Sequence, residues 1–303
     1  MSPRTRYAGP IQKAQVHPHG LVQRGFAEDA WLAEVLDRYP AELFDINLYD
    51  FADDGQVSLR TGARGELSGA ELLEAIKAGR LWVNLRSVER GCPDLWAAAM
   101  SEFRVIEARY PGLKTVTNAG QLILSSPKSG APYHFDAAGV VLFHLRGRKR
   151  VFVYPGDEAH LPERDMEQVV ARQTTEEIPY SPDFEADAQV IDLEPGQALT
   201  WPLYAPHRVR NTEAFCVSLS MDFQTWDSRL RNGALFTNAV LRSRGVSPRS
   251  TDRMRRPELA ARWAASVALK KAGVMPSRLA GFRRDFTPMV GAPDGAGTLQ
   301  AEA

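Results

Sequence analysis

Cysteine is scarce in this chain, with only Cys92 and Cys216, far apart, in 303 residues. A disulfide framework is thereby excluded, and two separate thiols suit a reducing compartment. Long apolar runs are missing too: none approaches the ~18 residues of a membrane helix. The opening MSPRTRYAGP has no apolar stretch of the signal-peptide kind. The expected setting is the cytoplasm. Net charge is also absent, with 37 Lys and Arg against 37 Asp and Glu, so bulk charge argues for no membrane or nucleic-acid partner. No internal repeat is visible. What remains is a chain 44% hydrophobic, able to bury a large core in one elaborated domain or two closely packed ones.

The pattern divides the chain. Residues 1–114 read as an α+β region packing on a core. Ala30 to Tyr39 is amphipathic, Leu43 to Tyr49 and Leu81 to Leu85 are strand-like, and Ser68-x-x-Glu71 is a capping box opening a helix that Gly79 stops, with Leu67 and Leu72 as its staple. Within 115–227 the period changes to two. Apolar strands at Gln121 to Ser125, Gly139 to Leu145, Arg150 to Tyr154, Gln189 to Leu193 and Phe215 to Phe223 alternate with Gly and Pro turns, a density that predicts an antiparallel barrel or double-sheet jelly roll. Residues 228–291 read as helical. There Pro257 to Ala272 has Pro at its first turn and places Leu259, Trp263 and Val267 near one stripe, to be buried against the barrel or a second copy of the chain. Residues 292–303 read as a disordered small-residue tail.

The informative motif is His134-Phe135-Asp136, followed by His207 at the end of a distant strand-like segment. Alternate residues of a strand project to one side, so His134 and Asp136 can grip one ion. A third ligand from His207 completes a two-histidine, one-carboxylate face, the arrangement of non-haem Fe(II) oxygenases, with coordination positions left open. His144 has the same parity as Asp136 but lies eight residues further, ~26 Å along a strand, and reads as a barrel-end residue. His17-Pro18-His19 reads as a surface loop, and His160 as a residue without a partner.

Gly196-Gln197, Pro202, His207 and Asn211 resemble the second motif of the cupin superfamily, with Gln197 and Tyr204 departing from it at turn positions. Ala131-Pro132-Tyr133-His134-Phe135-Asp136, the strand Val140 to Leu145, and the hairpin Arg146-Gly147-Arg148-Lys149-Arg150 resemble the core of the cupin-like, JmjC-type 2-oxoglutarate oxygenases. The resemblance spans about residues 115–223. It implies a mainly β fold with flanking helices around a double-stranded β-helix, and Fe(II) held by His134, Asp136 and His207. It also implies 2-oxoglutarate as co-substrate with Lys149 on its far carboxylate, O2 as oxidant, and hydroxylation of a protein side chain, peptide or small metabolite. Ala131 stands where the family's protein hydroxylases often have a small hydroxylated residue, so Ser125, Ser220 and Asn211 are the further candidates for co-substrate binding. Asn211 can orient His207 or simply begin a turn.

Two rival classes follow from the same residues. One is a cupin metal enzyme that does not use 2-oxoglutarate; the other is a non-catalytic cupin serving as a sensor or binding module. The stretch Arg229 to Arg284 is rich in Arg and Lys, with acids such as Asp183, Glu185 and Asp187 elsewhere to compensate, but it lacks a nucleic-acid motif. A packing or dimerisation role is the preferred reading.

Overall fold

The computed structural model describes residues 9–51, 57–212, 214–279 and 284–298. The N-terminal region runs β1 (Gln15–Pro18), α1 (Asp29–Arg38), β2 (Phe44–Phe51), β3 (Val57–Gly62), α2 (Gly69–Ala78), β4 (Leu81–Arg86), α3 (Val88–Gly91) and α4 (Pro93–Glu107). Both halves of the Ser68 capping box form, which is worth about 1 kcal/mol to α2. Leu72 and Ile76 from that helix are fully buried.

Eight strands follow: β5 (Thr115–Ser125), β6 (Gly130–His134), β7 (Gly139–Arg146), β8 (Lys149–Val153), then α5 (Glu163–Val170), β9 (Gln189–Leu193), β10 (Gln197–Thr200), β11 (His207–Asn211) and β12 (Cys216–Thr225). They form two antiparallel sheets in the orders β10-β7-β12-β5 and β6-β11-β8-β9. Consecutive strands alternate between the sheets except β8 and β9, which are neighbours in the second, the order of a double-stranded β-helix, and the expected jelly roll is the observed one. Residues of one parity from both sheets meet inside. Trp82, Ile123, Val140, Leu142, Val151, Val153, Leu199, Trp201 and Val209 belong to a single apolar cluster. The opposite parity of β12, including Leu219 and Met221, packs on the N-terminal helices instead.

The first sheet does not stop at the barrel. Pairing of β4 with β5 carries it into β2 and β3, while β1 covers the other edge beside β10. The N-terminal region therefore shares a ten-stranded sheet with the core rather than packing on it as a separate layer. His17 and His19 are buried, not in a surface loop: His17 Nε2 lies 2.8 Å from Tyr110 Oη and 3.2 Å from Thr200 Oγ1, because β1 is an edge strand of that sheet.

After the barrel come α6 (Trp226–Ser243) and α7 (Arg256–Lys271), packed on each other where Gly233 leaves no room for a Cβ against Trp263. Leu259 and Trp263 are half-buried against α6, but Val267 is 38% exposed, contrary to the expected stripe. The basic side chains there find partners other than those expected. Arg242 pairs with Glu167, Arg231 with Asp252 and Arg249 with Glu258. The expected tail is also corrected in part, since β13 (Arg284–Pro288) and β14 (Ala296–Thr298) form a hairpin on the β3 edge. Phe286, fully buried against Gly62, fastens it there. Residues 299–303 lie outside the described residues. No helix among those described is long and apolar enough to cross a membrane.

Candidate metal centre

Cross-strand pairing assembles the centre. His134 ends β6, His207 begins β11, and the two are direct ladder partners with ring centroids 4.2 Å apart. The strands can approach this closely because Gly130, on β6, has no Cβ; one placed there would stand 2.2 Å from the Val209 carbonyl oxygen. Asp136 lies just past the end of β6, and its Oδ2 is 3.3 Å from His207 Nε2. One donor atom from each of His134, Asp136 and His207 falls within 4.8 Å of the others, the only such trio among the described residues. Two donors held side by side at ~2.1 Å from one ion would be about 3 Å apart, so the spacing fits joint ligation.

Both imidazoles are fixed in the ligating tautomer. His134 Nδ1 lies 2.7 Å from the Pro132 carbonyl and His207 Nδ1 3.1 Å from that of Ala205. A carbonyl only accepts, so each Nδ1 carries a proton and Nε2 is the atom left to ligate. Burial pushes the His207 pKa down to about 4, with His134 adding to the effect, so the ring is neutral as a metal ligand must be. Trp201 tilts against His207 with centroids 4.6 Å apart and also lines a mainly apolar surface hollow with Leu203, Phe223 and Gly139. The donor set of two imidazoles and one carboxylate fits Fe(II).

Further carboxylates flank the centre. The segment after α5 lies along β6, bridging Glu177 to His134 and bringing the Glu176 carbonyl to Phe135 N–H. Burial, followed by the charge of Asp136, raises the pKa of Glu176; the same two causes, with Glu176 itself, raise that of Asp222 on β12. Sequence reading missed both. Asp222 was signalled by its parity with Ser220 on one strand, whereas Glu176 sits in a connection whose path no local pattern foretells.

Lys149 opens β8 with its side chain inside the barrel, 1% exposed. Its Nζ donates to Ser218 Oγ at 3.0 Å and lies 4.9 Å from the Trp82 ring centroid. Among the described residues no carboxylate pairs with it, and burial lowers its pKa to about 8. Lys149 faces Asn211 across the ladder while His207 faces Val153, so the Lys149 backbone lies four residues, about 13 Å of strand, from the level of His207, and its side chain has that span to reach into.

Ser125, Asn211 and Ser220 are drawn into different tasks. Asn211 Nδ2 donates to Ser125 Oγ and the Ser126 carbonyl, both at 2.8 Å, which ties down the connection that feeds β6. It does not orient His207, whose Nδ1 is held by Ala205. Asn211 Oδ1 is buried without a partner. Ser125 is wholly buried beside it, and Ser220 shares an interior parity with Ser218 and lies 3.4 Å from Asp222 Oδ1. His144 is buried at the Lys149 end of the barrel, away from the metal ligands. His160 has a partner after all: its Nδ1 is 2.8 Å from Asp157 Oδ1, while its Nε2 is buried without a hydrogen bond.

No family model and no curated protein matches the chain. Among solved structures it is similar to the ribosomal oxygenase YcfD of Escherichia coli. The complex with cobalt and 2-oxoglutarate is 15% identical, with a TM-score of 0.45 over 91% of this chain and 70% of that one. Another structure of YcfD is 17% identical, with a TM-score of 0.47 over 95% and 76%. The DMSP lyase DddQ from Ruegeria pomeroyi DSS-3 is 15% identical, with a TM-score of 0.23 over 37% of this chain and 40% of that one.

Proposed function

We propose that the chain is an Fe(II)- and 2-oxoglutarate-dependent oxygenase that hydroxylates a protein side chain, a peptide or a small metabolite. The observation that carries this reading is an ammonium buried with no carboxylate partner among the described residues, inside the same barrel as a His-Asp-His face. An unpaired charge there is costly, and a dicarboxylate that chelates the metal with one end brings the missing counter-charge with the other.

His134 and His207 would hold the ion through Nε2, and Asp136 through a carboxylate oxygen. When bound, Fe(II) with 2-oxoglutarate and O2 supplies oxidative decarboxylation to succinate and oxidation of a nearby C–H bond. Lys149 neutralises the far carboxylate by a charge-assisted contact. Val151, Val153, Val209 and Trp201, buried in one apolar cluster of the barrel interior, would shield the co-substrate from water. Glu176 and Asp222 are near enough to Asp136 to feel its charge.

Succinate formation by the iron-loaded protein, followed by NMR with 2-oxoglutarate and oxygen, tests the reading; slow uncoupled turnover is enough. Metal binding without 2-oxoglutarate binding would favour a cupin enzyme of another kind, and 2-oxoglutarate binding without succinate would favour a sensor.

A further inference from the structure

We infer that Ser218 and His144 are positioning residues that fix the Lys149 ammonium in place and thereby set the length of dicarboxylate the barrel accepts. The inference rests on the proposed 2-oxoglutarate reading. It begins with three contacts of 3.0 Å in series: His144 Nε2 to the Gly147 carbonyl, His144 Nδ1 to Ser218 Oγ, and Lys149 Nζ to the same Oγ. All three side chains are essentially inaccessible, at 0%, 0% and 1% exposure.

Their proton positions follow from chemistry. The Gly147 carbonyl can only accept, so His144 carries its proton on Nε2. Burial, with Lys149 beside it, pushes the His144 pKa down to about 3, so the ring is neutral and Nδ1 is an acceptor. Ser218 must therefore donate its hydroxyl proton to His144. Its lone pairs are then turned to Lys149, as an ammonium requires, since Nζ can only donate. The direction of the whole series is thus set by one backbone carbonyl in the β7–β8 hairpin, whose own shape depends on Gly147 at φ 84°.

Two consequences follow for a ligand. Ser218 has no proton to offer a carboxylate, so it acts through Lys149 and not on the ligand. Lys149 has one N–H engaged by Ser218 and the Trp82 face on another side, which leaves the remaining donors for an anion arriving from the metal end. A flexible lysine free to swing would follow diacids of several lengths, whereas an ammonium held at the Ser218 level meets only one.

The test is calorimetric titration of Zn(II)-loaded protein with 2-oxoglutarate and with the 2-oxo diacids one carbon shorter and one carbon longer. Ser218→Ala and His144→Leu should each weaken 2-oxoglutarate binding about tenfold, the worth of one hydrogen bond to a charged group, and narrow its preference over the other two diacids. His144→Asn, which keeps an acceptor near the Nδ1 position, should restore most of both, and zinc affinity should be unchanged throughout. In a Lys149→Ala background Ser218→Ala should have no further effect, because the two act as one unit. Additive losses, or an unaltered length preference in folded Ser218→Ala, would overturn the positioning role while leaving Lys149 as the anchor. If Lys149→Ala binds 2-oxoglutarate as the wild type does, the Lys149 anchor fails and the relay with it, whereas a wild-type protein that binds no 2-oxoglutarate would overturn the co-substrate reading itself.

Discussion

His207 Nε2 stands 3.3 Å from Asp136 Oδ2, although 71 residues separate the two in the chain. That closeness comes from the pairing of β6 with β11 and not from the His-x-Asp motif alone. One divalent ion per chain is therefore expected, and His134→Ala or Asp136→Ala should lose it. Metal analysis of the purified variants checks this. Full occupancy in the His134→Ala, His207→Ala double variant would place the site elsewhere.

Lys149→Met should separate stability from binding. The folded-state pKa of about 8 lies below the ordinary 10.5, so at neutral pH keeping the ammonium charged opposes folding of the ligand-free protein. The variant should be more stable than wild type below pH 8, by an amount that shrinks as pH rises toward 10.5, where the unfolded lysine also loses its proton. Its 2-oxoglutarate binding should be lost. Urea denaturation across this pH range, without ligand, is the measurement; a variant less stable than wild type at pH 7 would count against an unpaired buried cation.

Asn211→Leu removes the donors that tie down Ser125 and Ser126. A loss of about 1–3 kcal/mol is expected from the acceptors left unsatisfied. Metal affinity should fall as well, because that connection leads into β6 and so to His134. A destabilised variant with unchanged metal affinity would show that β6 holds its place without Asn211.

Glu185 gives a pH signature on the outer face of the second sheet. Burial alone would raise its pKa, but hydrogen bonds from Arg208, Tyr154 and Tyr180 outweigh that and lower it to about 2. A carboxyl depressed from its usual 4.5 adds stability above that value and loses it as pH falls toward 2. Glu185→Gln should thus cost roughly 1 kcal/mol or less at pH 7, given its part exposure, and nearly nothing near pH 2. A cost independent of pH would contradict the assigned partners.

Legibility differed by kind of signal. Period-two alternation located β5, β7, β8, β9 and β12, since it acts over a few residues, whereas the four-residue β10 carried too little pattern to be read. The metal ligands were legible because His134 and Asp136 are neighbours and His207 lies in a patterned segment. Ser218, Glu176 and Asp222 were not read, because what joins Ser218 to Lys149 is a cross-barrel contact 69 residues apart in sequence. The buried setting of His17 was hidden likewise: only the pairing of β1 with β10 removes it from solvent. The β13–β14 hairpin escaped because strands of five and three residues take their stability from the edge they join and carry little pattern of their own.

The most direct test of the central claim is an anaerobic titration of the Fe(II)-loaded protein with 2-oxoglutarate, followed by visible absorption. The predicted result is a charge-transfer band that saturates at one equivalent of iron, disappears in Asp136→Ala, and requires far more 2-oxoglutarate in Lys149→Ala. Absence of any band in the wild-type protein at saturating 2-oxoglutarate, with iron demonstrably bound, would contradict the account.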